Sequence, residues 1–216
     1  MEVPIDDARS LAARVAELLS ADDPLPIVAA GDPVLRRPSA PFDGQLDDDL
    51  LARFIAAMRA TMHAAPGVGL AAPQVGIPLR LAVIEDFAEV SDEVRAARGR
   101  RPVPFRVLIN PSYEPTGPAK VAFFEGCLSV PGWQAVVSRP AEIRLTAHDE
   151  HGRPIDEIVR GWPARIVQHE TDHLDGTLYL DRAELRSLST TEAVATRWPH
   201  PTPHPAAESL GFPLPE

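Results

Sequence analysis

Residues 165–176 read Arg-Ile-Val-Gln-His-Glu-Thr-Asp-His-Leu-Asp-Gly. His169 and His173 stand four apart in this run, the spacing that puts two side chains on one face of a helix. Both imidazoles can then reach a single ion, with Glu170 beside them to handle protons at the ion's open position. Ile166, Val167 and Leu174 supply an apolar packing stripe, Pro163 suits a first helical turn, and Gly176 marks the end. The run is predicted to be a central metal-binding helix.

Around it the chain reads mainly as strands. Segments 79–84, 105–109, 120–124, 135–138, 143–147 and 155–159 are short, rich in Val, Ile and Phe, and bounded by Pro, Gly or Asn. Two further amphipathic helices are expected. One covers 7–19, with Leu11, Val15, Leu18 and Leu19 on a stripe and Asp6 and Asp7 at its start; the other covers 46–63, with Asp47, Asp48 and Asp49 favouring its N-terminal end. Residues 85–104, carrying Arg95, Arg98, Arg100 and Arg101, read as a solvated insertion. From Pro199 the chain is rich in proline and histidine, and is expected to be poorly ordered. The expectation is an α+β fold in which short antiparallel strands pack around the central metal-binding helix. A catalytic domain at 33–185 would be flanked by an N-terminal extension with a short helix (1–32) and a Pro-rich C-terminal tail (186–216).

Composition narrows the function. A chain of 216 residues can bury one self-sufficient core. Its single cysteine, Cys127, cannot form an intramolecular disulfide, so a reducing cytoplasm fits. The net charge of −10 argues against general nucleic-acid binding. No apolar run approaches the ~18 residues that span a bilayer, and the first residues lack the pattern of a signal peptide.

Two histidines are too few for a hydrolytic metal site, which takes three protein ligands and keeps one position open. The metzincin pattern H-E-x-x-H-x-x-G-x-x-H is followed through Gly176, but Tyr179 stands where its third histidine belongs, and no methionine follows the motif. A downstream carboxylate at Glu184 or Glu192 is an alternative, though neither lies in a second motif. The remaining candidate is Cys127, in Glu125-Gly126-Cys127-Leu128-Ser129, whose thiolate suits Fe²⁺ or Zn²⁺. A third segment, Gly67-Val68-Gly69-Leu70-Ala71-Ala72-Pro73-Gln74, lacks the Lys-Ser/Thr of a phosphate loop. Its Gln74 amide, set among apolar neighbours, is a usable donor to an oxyanion.

In order, these segments match G-x-G-x-A-A-x-Q, E-G-C-x-S and H-E-x-D-H, and the chain from Pro33 to Leu185 resembles peptide deformylase. The resemblance implies removal of the formyl group from N-formylmethionyl nascent chains or peptides, with release of formate. It implies Cys127, His169 and His173 as ligands of one divalent ion, usually Fe²⁺, with Zn²⁺, Ni²⁺ or Co²⁺ as substitutes. Glu170 would be the acid–base, and the Gln74 side chain and Leu128 backbone N–H would stabilise the oxyanion. Val68 and Gly69 would pair with the substrate backbone, Gly69 leaving room for the formyl group, while Val68 and Trp162 would border a pocket for the methionine side chain.

The match has departures. Gly132-Trp133-Gln134 stands where many bacterial members carry a substrate-binding arginine. The 85–104 insertion resembles those of actinobacterial and organellar members and is expected to border the cleft. The proline-rich end and the acidic overall balance do not support ribosome docking through a basic C-terminal helix, although work near the ribosome remains compatible with the substrate. A cytoplasmic monomer without membrane contact is expected.

Overall fold

The protein is seen in a computed structural model that describes residues 8–21 and 24–215. Helix α1 spans Ala8–Ala21; the expected acidic start at Asp6 and Asp7 lies outside the described residues. Helix α2, Asp48–Ala64, is capped by Asp47, whose carboxylate accepts the Leu50 N–H at 2.8 Å, with Asp48 and Asp49 in its positive first turn. Strand β1 (Gly69–Ala71) runs into a 3-10 turn, Ala72–Val75, and β2 covers Leu81–Asp86. A short helix α3 (Asp92–Arg98) follows, then β3 (Val103–Pro115), β4 (Lys120–Cys127), β5 (Val130–Pro140), β6 (Glu142–His148) and β7 (Pro154–Arg160). The motif run forms α4, Gly161–Leu174. Strand β8 (Ala183–Thr190) and helices α5 (Thr191–Arg197) and α6 (His204–Leu210) complete the chain.

The strands form two antiparallel sheets, one in the order β1-β2-β3-β6-β7 and one in the order β4-β5-β8. Helix α4 packs on all five strands of the first sheet. Ile166, Val167 and Leu174 are fully buried there, as their stripe predicts, so a helix with two histidines and a glutamate is held inside the molecule. The expected α+β class, with antiparallel strands about a central helix, is what is found. The strands are longer than expected: β3 continues through Asn110-Pro111 because β6 pairs beyond the irregularity between Ile109 and Ser112.

Three regions differ from the sequence reading. The N-terminal helix is part of the main core, where Leu11 and Val15 cluster with Phe54 and Met58 of α2. The 85–104 segment is not simply solvated. Its Arg100 pairs through two hydrogen bonds of 2.7 and 2.8 Å with Asp86, whose side chain is buried, and α3 caps its own start with Ser91. Its exit is also fixed by contact: Gly99 and Gly161 both have positive φ, and a Cβ on Gly161 would stand 2.6 Å from the Gly99 carbonyl oxygen. The residues after Pro199 are not a loose tail. Ala206, Ala207 and Phe212 are buried with Val136, because a Pro-rich segment still buries apolar surface where its few apolar residues meet a sheet.

Candidate metal centre

Cys127 ends β4 at a register shift, followed directly by the Leu128-Ser129 turn into β5. This tight turn presents the sulfur rather than packing it away. Helix α4 brings His169 and His173 to the same point, their ring centroids 5.0 Å apart. The three candidate ligand atoms lie within 4.8 Å of one another, and Cys127 Sγ is 3.2 Å from His173 Nε2. Ligands bonded tetrahedrally at about 2.0–2.3 Å stand roughly 3.5 Å apart, so small side-chain adjustments suffice to hold one ion. Among the described residues this is the one such cluster of His, Cys and carboxylate groups; Glu184 on β8 and Glu192 on α5 are not in it.

The electrostatics favour a cation. Burial and the charge of His169 keep His173 well below its ordinary pKa, in the neutral form that ligates. Burial also opposes charge on His169, but hydrogen bonds to Cys127 and Glu125 overcome it and hold its pKa well above the ordinary value. A soft thiolate with two imidazoles is a donor set for Fe²⁺ or Zn²⁺. The residues present therefore fit a divalent ion.

Glu125 orients this centre. Its Oε2 meets His169 Nδ1 at 3.0 Å, the contact that fixes a ligating imidazole. It also takes two hydrogen bonds from Arg139, at 2.6 and 2.9 Å, and one from Arg165. Burial alone would raise the Glu125 pKa, but the charge of Arg139, the His169 hydrogen bond and Arg165 hold it far below the carboxylate range. Arg139 reaches on to Asp172 at 2.8 Å, which is also bound by Arg182 and by the Tyr113 hydroxyl. Tyr179, which stands at the metzincin histidine position, stacks on His169 with centroids 6.1 Å apart and donates its hydroxyl to the Trp133 carbonyl at 3.0 Å. It is a support for the site rather than a ligand.

Glu170 lies among these groups with Oε2 buried and without a hydrogen-bond partner among the described residues. Burial pushes its pKa up to about 7, the range in which a carboxyl can both take and return a proton. Gln74 is anchored at one end: its Oε1 accepts the Ala71 N–H at 2.9 Å. Its Nε2 is thereby turned toward Ser129 Oγ at 3.3 Å and Cys127 Sγ at 3.5 Å. Gly69 meets a further requirement. A Cβ there would stand 2.6 Å from Glu170 Cδ, so the absent side chain makes room for Glu170.

All the expected site residues except His173 line one cleft of about 670 Å³: Val68, Gly69, Gln74, Cys127, Leu128, Trp162, His169 and Glu170. A larger groove of about 910 Å³, beside the start of α2, contains none of them. Sequence reasoning quoted Glu125 and Asp172 within the motifs but assigned neither a role, and it missed Arg139. The signal for the first two was an acidic residue at a fixed place in each motif; Arg139 carried none, since its partners are 14 and 33 positions away.

The polypeptide deformylase family model matches residues 24–188. A peptide deformylase of Streptomyces coelicolor is 71% identical over 209 residues, covering 97% of this chain and 96% of that protein. Among solved structures, a Synechococcus elongatus peptide deformylase in complex with actinonin is 35% identical, with a TM-score of 0.63 over 89% of each chain. An Acinetobacter baumannii class I type b peptide deformylase, solved with a bound ligand, is 32% identical, with a TM-score of 0.66 over 74% of this chain and 99% of that one. The cysteine–histidine cluster and these extents of identity lead to one conclusion: the chain belongs to the peptide deformylase family.

Proposed function

We propose that this chain hydrolyses the formyl amide of N-terminal formylmethionine on new protein chains, yielding formate and a free amine. The observation that carries the reading is the convergence of Glu170, Gln74 and the Cys127–His169–His173 cluster on one cleft.

The family is metal-dependent. Cys127, His169 and His173 would hold one divalent ion, Fe²⁺ before Zn²⁺, Ni²⁺ or Co²⁺, which supplies Lewis acidity to water and to the formyl carbonyl. Glu170 takes the proton of the attacking water as its oxygen bonds to the formyl carbon. The same carboxyl returns a proton to the amine nitrogen as the carbon–nitrogen bond breaks, so the charges balance. Its unpartnered, buried Oε2 and raised pKa support this shuttle. The Gln74 amide and the Leu128 N–H donate to the formyl oxygen as negative charge develops there. Glu125 holds His169 in its ligating orientation.

Substrate placement uses the free edge of the five-stranded sheet. Strand β1 pairs with β2 on one side and, among the described residues, no strand pairs with its other edge, beside Val68 and Gly69 in the cleft. An extended peptide would add there as a strand. Val68, Trp162 and Ile166 border the space for the methionine side chain. We assign the protein to the cytoplasm as a monomer meeting chains as they emerge near the ribosome. The acidic balance supports this assignment, as does the lack, among the described residues, of any helix long and apolar enough to cross a membrane.

The test is formate release from formyl-Met peptides by chain loaded anaerobically with Fe²⁺, beside N-acetyl-Met peptides and a Glu170→Gln variant. The reading expects activity on the formyl peptides alone, and retained metal with severely reduced turnover in the variant. Equal turnover by Glu170→Gln would refute the proton shuttle.

A further inference from the structure

The C-terminal segment meets the residues that line the substrate cleft at two points, one by direct contact and one through a shared apolar cluster. The first is Arg98, the last residue of α3, which lines the cleft. Its Cζ lies 5.2 Å from the Trp162 ring centroid and 5.6 Å from that of Phe123, and its Nε donates to the Pro201 carbonyl at 3.2 Å. Among the described residues no carboxylate forms a salt bridge with it. Ring faces and one carbonyl of the C-terminal segment hold this half-buried cation, and both favour a fixed guanidinium plane. The second point is an apolar cluster in which Ala206, Ala207 and Phe212 are buried with Val136 of β5, and against which cleft-lining Phe124 of β4, the cross-strand partner of Val136, packs. One segment therefore holds one cleft-lining residue directly and shares an apolar cluster with another on a different element.

We propose that residues 198–214 are a latch that positions Arg98 and Phe124. Through them the latch sets the shape of the aromatic wall, and so the affinity and selectivity for the side chain of the substrate's first residue. The inference rests on the deformylase reading. Its physical basis is that a partly desolvated arginine without a counter-charge returns its head group to water once its fixed acceptor is lost. Trp162 then loses one of the three guanidinium groups near its ring, those of Arg100 and Arg165 staying at 5.5 and 5.9 Å, and the wall loosens on the Arg98 side. Arg98 is here a positioning residue, remote from the proton shuttle.

The experiment measures kcat and KM on formyl-Met and formyl-Leu peptides, using the full chain loaded with Fe²⁺ under anaerobic conditions. Arg98→Ala, Phe212→Ala and the double variant are compared with wild type. Each single change is expected to raise KM for the formyl-Met peptide about five- to tenfold, the scale of a partly desolvated cation–ring contact. Preference over the formyl-Leu peptide should narrow, and kcat should fall far less than KM rises. The double variant should be little worse than either single one, because both changes break one device. Arg98→Lys should recover part of the loss.

Phe212→Leu guards against misfolding, since it keeps apolar volume at the anchor; it should lie between wild type and Phe212→Ala. A lowered melting temperature with unchanged KM and preference in both Phe212 variants makes the segment a stabiliser only and overturns the latch. Fully additive effects in the double variant overturn it too. Wild-type chain that releases no formate refutes the deformylase reading and takes this inference with it. Formate release with unmoved KM refutes the latch alone.

Discussion

Gly69→Ala places one methyl group against the acid–base. The added Cβ would stand 2.6 Å from Glu170 Cδ and closer still to Oε1, whereas ordinary contact begins near 3.4 Å. The carboxylate must therefore retreat by about 0.8 Å or more, because β1 is pinned to β2 and α4 is buried on its sheet. A misplacement of about 1 Å at a reacting group costs on the order of 10²-fold in rate, or ~2.7 kcal/mol of transition-state stabilisation. The crowding itself should lower stability by about 1–3 kcal/mol. The assay pairs formate release with metal analysis and urea unfolding of the loaded chain. The expected result is a kcat about 100-fold lower with metal still bound and KM changed far less. Gly67→Ala should lose less, because its added Cβ meets the flexible end of Leu128, Cδ1, at 2.9 Å. A folded, metal-loaded Gly69→Ala with kcat within about threefold of wild type would show that catalysis does not depend on where Glu170 stands.

Gln74→Ala removes the anchored amide and should lower turnover by about 10²–10³ while metal content stays at wild-type level; metal analysis beside the kinetics checks both halves. Glu125→Gln leaves Arg139 and Arg165 buried with a neutral partner, and should cost about 3–5 kcal/mol in urea unfolding and weaken metal binding about 10–100-fold. Wild-type stability in that variant would mean the network carries no net load. Glu85 offers a pH test: Arg59, and after it His63, hold its carboxyl below the ordinary range against the opposing effect of burial. Its folded pKa is the lower one, so its contribution is complete above the unfolded value near 4.3 and is lost as pH falls through the folded value. Wild-type stability should therefore drop more steeply below about pH 5 than that of Glu85→Gln; parallel profiles would contradict the assignment.

The legible parts were those in which chemistry and packing shared one short segment. The 165–176 run showed its helix, its buried stripe and two ligands at once, because a period of 3.6 and a spacing of four describe the same face. Cys127 was reachable by elimination, and Gln74 by the cost of burying an amide. What escaped was long-range or depended on a partner. Strand β8, Ala-Glu-Leu-Arg-Ser-Leu-Ser-Thr, has no apolar alternation, since it is an edge held largely by β5 and by the Ser187 hydroxyl accepting the Val136 N–H. Arg139 carries no local signal, because the two carboxylates that close around it come from β4 and α4. The C-terminal residues looked disordered because proline dominates their composition, yet three apolar side chains suffice to dock them. Gly69 was read for the substrate's space, and its second requirement, room for Glu170, shows only in the fold.

The meeting of Gly99 and Gly161 bears on how such a chain can drift over generations. The first residue of the motif helix stands so close to the Gly99 carbonyl that Gly161 can take no side chain unless the Gly99 backbone moves with it. Added or deleted residues are then best absorbed at the solvent-facing approach, Phe87 to Glu89, where the backbone is open, and not at Arg98 to Arg100. Lineages can trade loop lengths at one end of the insertion while its other end stays in step with the helix that carries both histidines.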